Sequence, residues 1–141
     1  MTNDITTKTG IIKPKILVID DEDSIRLFIL ELLKETGYEG ITARDGIDGL
    51  ECLSQNPNAI ILDENMPRMG GVEFYNKLKT DLKYEKQARI PIVGIGSTFT
   101  PEMKAKFEAY VSKPIDNMEL LDAIKKVLGD YIEYLPQGKR E

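Results

Sequence analysis

Five times along this chain a strand-like run gives way to a stretch whose apolar residues recur at helical spacing, and that alternation leaves few folds open. The runs are "KILVID" (15–20), "YEGITA" (38–43), "AIILD" (59–63), "IPIVGIG" (90–96) and "AYVS" (109–112). After the first, Ile25, Phe28, Ile29, Leu32 and Leu33 mark one helical face; Ile47, Leu50 and Leu53 mark the next. Val72, Tyr75, Leu78 and Leu82 follow, then Met103 and Phe107, then Leu120, Leu121, Ile124, Val127 and Leu128. Unbroken apolar strands need cover on both faces, and strands joined through helices run parallel. The pattern predicts an α/β domain: a doubly wound five-stranded parallel sheet between two helical layers. Asp23 or Ser24 is placed to cap the first helix and Gly37 to stop it. Thr100 and Pro101 open the fourth helix, and Asp116 or Asn117 caps the fifth. The domain is expected over residues 14–130. A polar, aperiodic tail is expected at 1–13, and a tail or helix extension at 131–141, where Tyr131, Ile132 and Leu135 continue the apolar spacing.

Composition removes whole classes of chemistry. The 141 residues include no histidine, which excludes Ser-His-Asp and Cys-His catalysis, histidine-ligated zinc, and a role as phosphohistidine donor. The single cysteine, Cys52, has no partner for an internal disulfide, reads as a packing residue and fits a reducing cytosol. A net charge of -5 does not suggest a nucleic-acid surface. No apolar run approaches the roughly 20 residues that span a bilayer. "MTNDITTKTG" has neither the basic nor the apolar segment of a signal peptide, so a cytoplasmic protein is expected.

Carboxylates, hydroxyls, lysine and metals are what is left. In a parallel sheet the carboxyl ends of all strands lie along one edge, where functional groups gather. To that edge the predicted strands deliver Asp20 and Asp21, Asp63, and the run Ser112, Lys113, Pro114. Three carboxylates brought together repel one another unless a cation sits among them. Hard oxygen donors select magnesium or manganese, and a lysine on the rim suits an anion. The set supports a phosphoryl site with a carboxylate nucleophile. Taken singly, each piece has an ordinary structural use. Asp20, Asp21 and Glu22 suit a helix start, Asp63 a turn, and Lys113 with Pro114 the end of a strand. It is their joint placement on the first, third and fifth strands that points to chemistry.

With these residues in view, the chain resembles the receiver domains of two-component response regulators from about Lys15 to Gly129. The motifs that carry the resemblance are "ILVIDDE", "ARDG", "ILDENMPRMGG" and "AYVSKPI". It implies a flavodoxin-like (βα)5 fold and a phosphoryl group accepted on Asp63 from a sensor histidine kinase or a histidine phosphotransfer protein. It further implies Asp21 and Asp63 as direct magnesium ligands, Asp20 acting mostly through water, and the backbone carbonyl of Asn65 as a third protein ligand. By the same resemblance Lys113 bonds a phosphoryl oxygen, its bond to Pro114 is cis, and Tyr110 changes rotamer on phosphorylation. Such a chain is not an enzyme beyond its own phosphorylation and dephosphorylation.

Two features depart from the family pattern. An ungapped alignment from Pro91 puts Gly96 where the family has a threonine or serine, and a one-residue bulge would restore Ser97 as the phosphate-sensing hydroxyl; otherwise Ser97 is a loop serine. From Gly96 to Lys113 the chain is short by about five residues, so the fourth helix is stubby and the usual family dimer is disfavoured, leaving a monomer or weak dimer. "NKLKTDLKYEKQARIP" lengthens the connection after the third helix, its basic run reading as a solvated face. The eleven residues after Asp130 are too few for an output domain, so a stand-alone receiver contacting an unknown downstream protein is expected. Gly96 favours an alternative, an interaction module of the same fold that ignores phosphorylation. An aspartyl-nucleophile, magnesium-dependent phosphatase wants an aspartate where Asn65 stands.

Overall fold

The computed structural model describes residues 13–129. The expected tail at 1–13, Lys13 aside, and the apolar stripe of Tyr131, Ile132 and Leu135 lie outside the described residues. Five strands alternate with five helices: β1 (Lys15–Ile19), α1 (Asp23–Glu35), β2 (Glu39–Ala43), α2 (Gly46–Cys52), β3 (Ala59–Asp63), α3 (Gly71–Thr80), β4 (Ile92–Gly96), α4 (Pro101–Lys106), β5 (Ala109–Ser112) and α5 (Asn117–Leu128). Short 3-10 turns at Leu53–Gln55 and Leu82–Tyr84 follow α2 and α3. All neighbouring strands pair in parallel, in the order β2-β1-β3-β4-β5. The order reverses direction between β1 and β3, where sites form in such sheets.

Both faces of the sheet are covered, which explains the unbroken apolar runs. Ile16, Val18, Ile61, Val93 and Ile95 point toward α1 and α5, meeting Ile29, Leu33, Leu120 and Ile124. The alternate residues Leu17, Ile19, Ile60, Leu62 and Ile92 meet Leu53, Phe74, Leu78, Met103 and Phe107 on the other side. Residues two apart on a strand thus share a face, and each face has its own core.

The helix signals hold in most places. Thr100 Oγ1 accepts the Met103 N–H with Pro101 in the first turn, and the Asp116 carboxylate caps α5 through Glu119. α4 is only six residues long, as its sequence interval requires. Three expectations fail. Neither Asp23 nor Ser24 caps α1: the N-cap is Glu22, without a side-chain bond, because Asp20 Oδ1 already takes the Glu22 N–H at 2.9 Å and draws the chain into the helix early. Val72 is 41% exposed and Leu82 81%, while Phe74, absent from the predicted stripe, is fully buried. α3 ends at Thr80, so its face is set by Phe74 and Leu78, and Leu82 falls in the turn beyond. Phe28 similarly sits at the edge of the α1 face and is 38% exposed.

This facing has a measurable consequence. Phe74→Ala should cost about 3–5 kcal/mol in urea unfolding, as truncation of a buried aromatic does. Val72→Ala should cost less than about 1 kcal/mol. Equal losses would mean that α3 is rotated from the orientation described.

Candidate functional site

Strand register assembles the site. Ile19 pairs with Leu62, so Asp20 and Asp63 stand level on adjacent strands, one position on. Gly96 pairs with Ser112, which leaves Lys113 just past the end of β5. Lys113 donates its own N–H to the Gly96 carbonyl at 3.0 Å, and its bond to Pro114 is cis. From there its side chain leans back over the sheet edge. Lys113 Nζ donates to Asp20 Oδ2 and to Asp63 Oδ1, each at 3.0 Å. Carboxylate oxygens of Asp20, Asp21 and Asp63 all lie within 4.8 Å of one another. Asp20 is fully buried, Asp63 nearly so, and Asp21 exposed at the mouth.

The loop after Asp63 closes on two glycines, Gly70 and Gly71. Gly71, the first residue of α3, packs so close to the Asp63 carbonyl that any Cβ there would collide with it. Its N–H bonds the Glu64 carbonyl at 2.8 Å, closing the loop. Asn65 is exposed in this loop, and among the described residues its carbonyl accepts no backbone hydrogen bond.

The electrostatics are unbalanced. Burial pushes the Asp63 carboxyl up to about 6; the charge on Asp20 adds to this, while the Glu64 backbone N–H and Lys113 pull it down. For Lys113, burial works against the ammonium, but hydrogen bonds to Asp63 and Asp20 outweigh it and raise its pKa above the usual lysine value. Three carboxylates against one ammonium leave an excess of negative charge around hard oxygen donors. That donor set fits a small divalent cation, with Asp20, Asp21 and Asp63 as the residues to hold it.

Beside this pocket lies a second charged cluster that the sequence reading did not assign. Asp45, almost fully buried, caps α2 through the Asp48 N–H and accepts two hydrogen bonds from Arg68, at 2.7 and 3.2 Å. Burial raises the Asp45 carboxyl, but Arg68 and the Asp48 N–H reverse this and hold it below its ordinary value. Arg68 adopts a positive φ of 64° in doing so. The signal was present in "ARDG", with an aspartate before a glycine that opens a helix, but its partner 23 residues away was not legible.

β4 pairs in regular register with β3 from Ile92 to Ile95 and with β5 from Val93 to Gly96, so the one-residue bulge is absent. Ser97 is exposed, with no side-chain hydrogen bond among the described residues. Thr98 bonds the Glu64 carboxylate instead. Tyr110 is half-buried and donates its hydroxyl to the Gly96 carbonyl at 2.6 Å.

Residues 16–125 match the family described as the response regulator receiver domain. The chain belongs to that family. It is 31% identical over 124 residues to the polar-differentiation response regulator DivK of Brucella ovis, covering 84% of this chain and 98% of DivK. It is 34% identical over 116 residues to the CAI-1 autoinducer sensor kinase/phosphatase CqsS of Vibrio cholerae, of whose length it spans only 17%. Among solved structures it resembles the chemotaxis protein CheY4 of Vibrio cholerae, with a TM-score of 0.72 and 30% identity over 82% of this chain and 99% of that one. The receiver fold and family expected from the motifs are thus established. Among the described residues, no helix is long and apolar enough to cross a membrane.

The raised Asp63 carboxyl sets a pH dependence for this receiver. Its native pKa, about 6, lies above the ordinary aspartate value of 3.8, so the folded chain holds this proton more tightly than the unfolded chain does. Its contribution is therefore favourable at low pH and is lost as pH rises through that window, by up to roughly 3 kcal/mol. Relative to wild type, metal-free Asp63→Asn should gain stability at about pH 7.5 but not at about pH 4.5, by urea melts. A constant difference between the two would contradict the shift.

Proposed function

We propose that this receiver accepts a phosphoryl group on Asp63 from a phosphohistidine of a sensor kinase or phosphotransfer protein, and signals by altered contact with another protein. The observation that carries this reading is the ammonium of Lys113 held 3.0 Å from both Asp63 and buried Asp20, with Asp21 at the open side. Asp63 is the nucleophile. Its carboxylate oxygen forms a bond to phosphorus as the bond from phosphorus to the donor's ring nitrogen breaks, and the imidazole leaves with a proton. Lys113 takes up charge on the phosphoryl oxygens and keeps Asp63 turned toward the opening. Asp20, Asp21 and Asp63, with the Asn65 carbonyl, would hold magnesium or manganese. The bound cation supplies neutralisation of the carboxylates and of the incoming phosphate. Water hydrolyses the resulting acyl phosphate, so the mark is transient; no other catalytic activity is proposed.

The histidine-free composition supports a receiving rather than a donating role. The short α4 supports a monomer or weak dimer, since little helix is present for a family-type interface. A cytoplasmic site of action fits a kinase-coupled receiver with a lone, half-buried cysteine. Gly96 favours a second reading, a receiver-like interaction module whose contacts ignore phosphorylation. A phosphatase reading is disfavoured by Asn65, which offers no acid or base where one is needed.

Incubation with magnesium and acetyl phosphate separates these readings. We expect wild type to gain the mass of one phosphoryl group and Asp63→Asn to gain none. Asp21→Asn should slow the gain on the order of a hundredfold or more, since cation placement is worth several kcal/mol in the transition state. An unmodified wild type, or an equally modified Asp63→Asn, would contradict the assignment.

A further inference from the structure

The space beside Gly96 is filled. A Cβ at this position would lie 2.7 Å from Glu64 Oε1 and 3.3 Å from Glu64 Cβ. Glu64 directly follows Asp63, and its side chain crosses to the loop after β4. There Thr98 donates its backbone N–H to Oε1 at 3.0 Å and its hydroxyl to Oε2 at 2.6 Å. Both carboxylate oxygens are engaged by one residue, and a glycine at 96 makes room for them. Glu64 and Gly96 therefore act as a pair: a side chain at 96 would evict the carboxylate from the place it occupies.

What happens at Thr98 has a path inward. Phe99 is buried and stands edge-to-face with Phe107 at 5.0 Å and with Tyr110 at 6.0 Å between ring centroids. Tyr110 in turn bonds the Gly96 carbonyl, which also accepts the Lys113 N–H. Thr98, Phe99, Tyr110 and Lys113 thus form one contiguous chain of contacts that leads back to Asp63.

We propose that the Glu64 carboxylate is an electrostatic latch on Thr98, closed while Asp63 is unmodified and opened when a phosphoryl group on Asp63 repels it. The proposal rests on the phosphoacceptor reading. A phosphoryl group brings close to two negative charges to the residue next to Glu64. Lys113 and a bound cation offset part of that charge, and the latch responds to the rest. The Glu64 carboxylate is on a flexible stem and only partly covered, so it can turn out to water while the backbone stays in place. Thr98 then loses both bonds, and the loop at 97–100 is freed to move with Phe99 and Tyr110. A push on a carboxylate here replaces a pull on a strand-end hydroxyl, which Gly96 cannot provide. Glu64 is in this sense a positioning residue.

The test is amide hydrogen exchange resolved at Thr98 in the full chain, with phosphorylation by magnesium and acetyl phosphate followed in parallel by mass. Exchange at Thr98 should rise at least about tenfold in the phosphorylated protein. Glu64→Gln keeps an acceptor for Thr98 but has no charge to repel, so it should gain the same mass without that rise. Gly96→Ala displaces the carboxylate and should show fast exchange before any phosphoryl group is added. A mass gain with Thr98 exchange unchanged or slowed would overturn the latch alone, as would a Glu64→Gln response equal to wild type. No mass gain in wild type would overturn the phosphoacceptor reading and the latch together.

Discussion

The ammonium of Lys113, shared between Asp20 and Asp63, is the interaction on which the rest of this structure depends. Burying a carboxylate is costly unless it is paired and hydrogen-bonded, and here two lie side by side at the end of a close-packed sheet. Lys113 serves both at 3.0 Å, and Asp20 has a further donor in the Glu22 N–H. The pairing spans the sheet from β1 through β3 and β4 to the end of β5, so it exists only when these four strands are in register. A slip of one residue in β3 would turn Asp63 into a core and bring Leu62 to the mouth.

The pairing is also deliberately incomplete in charge. One ammonium cannot neutralise three carboxylates, and burial leaves the Asp63 carboxyl raised to about 6. A divalent cation placed among these carboxylates would relieve their repulsion and favour the ionised form of Asp63. The neighbouring Asp45 shows the opposite arrangement. It is just as buried, but Arg68 and the α2 amide satisfy it, and its carboxyl is held low. Two buried aspartates in one loop cluster thus have different parts: Asp45 ties the α2 start to the loop after β3, and Asp63 keeps a raised carboxyl at the acidic pocket.

The cis bond before Pro114 followed from the family resemblance; the strand edges, the placement of Asp20, Asp21, Asp63 and Lys113, and the stubby α4 were legible in the residues themselves. They are fixed by short-range pattern and by a topology with one plausible solution. The errors fell where tertiary contacts outvoted spacing. Phe74 displaced Val72 from the α3 face because the helix ends before Leu82 can join the stripe. Asp20 removed the need for a side-chain cap on α1. The bulge that would have brought Ser97 inward is absent because β4 keeps its register to Gly96, and the room at Gly96 belongs to Glu64. Contacts such as Glu64 with Thr98 and Asp45 with Arg68 join residues 34 and 23 positions apart, and no local periodicity encodes them.

Three carboxylates and one lysine converge on a donor set that fits a divalent cation beside Asp63. The most direct measurement is carbon-detected NMR of the aspartate side-chain carboxyls during titration with paramagnetic manganese. The Asp20, Asp21 and Asp63 signals should broaden first and together, while Asp45 and Asp48 persist to higher metal concentration. Early broadening spread over the surface acids, with Asp63 unaffected, would contradict that fit.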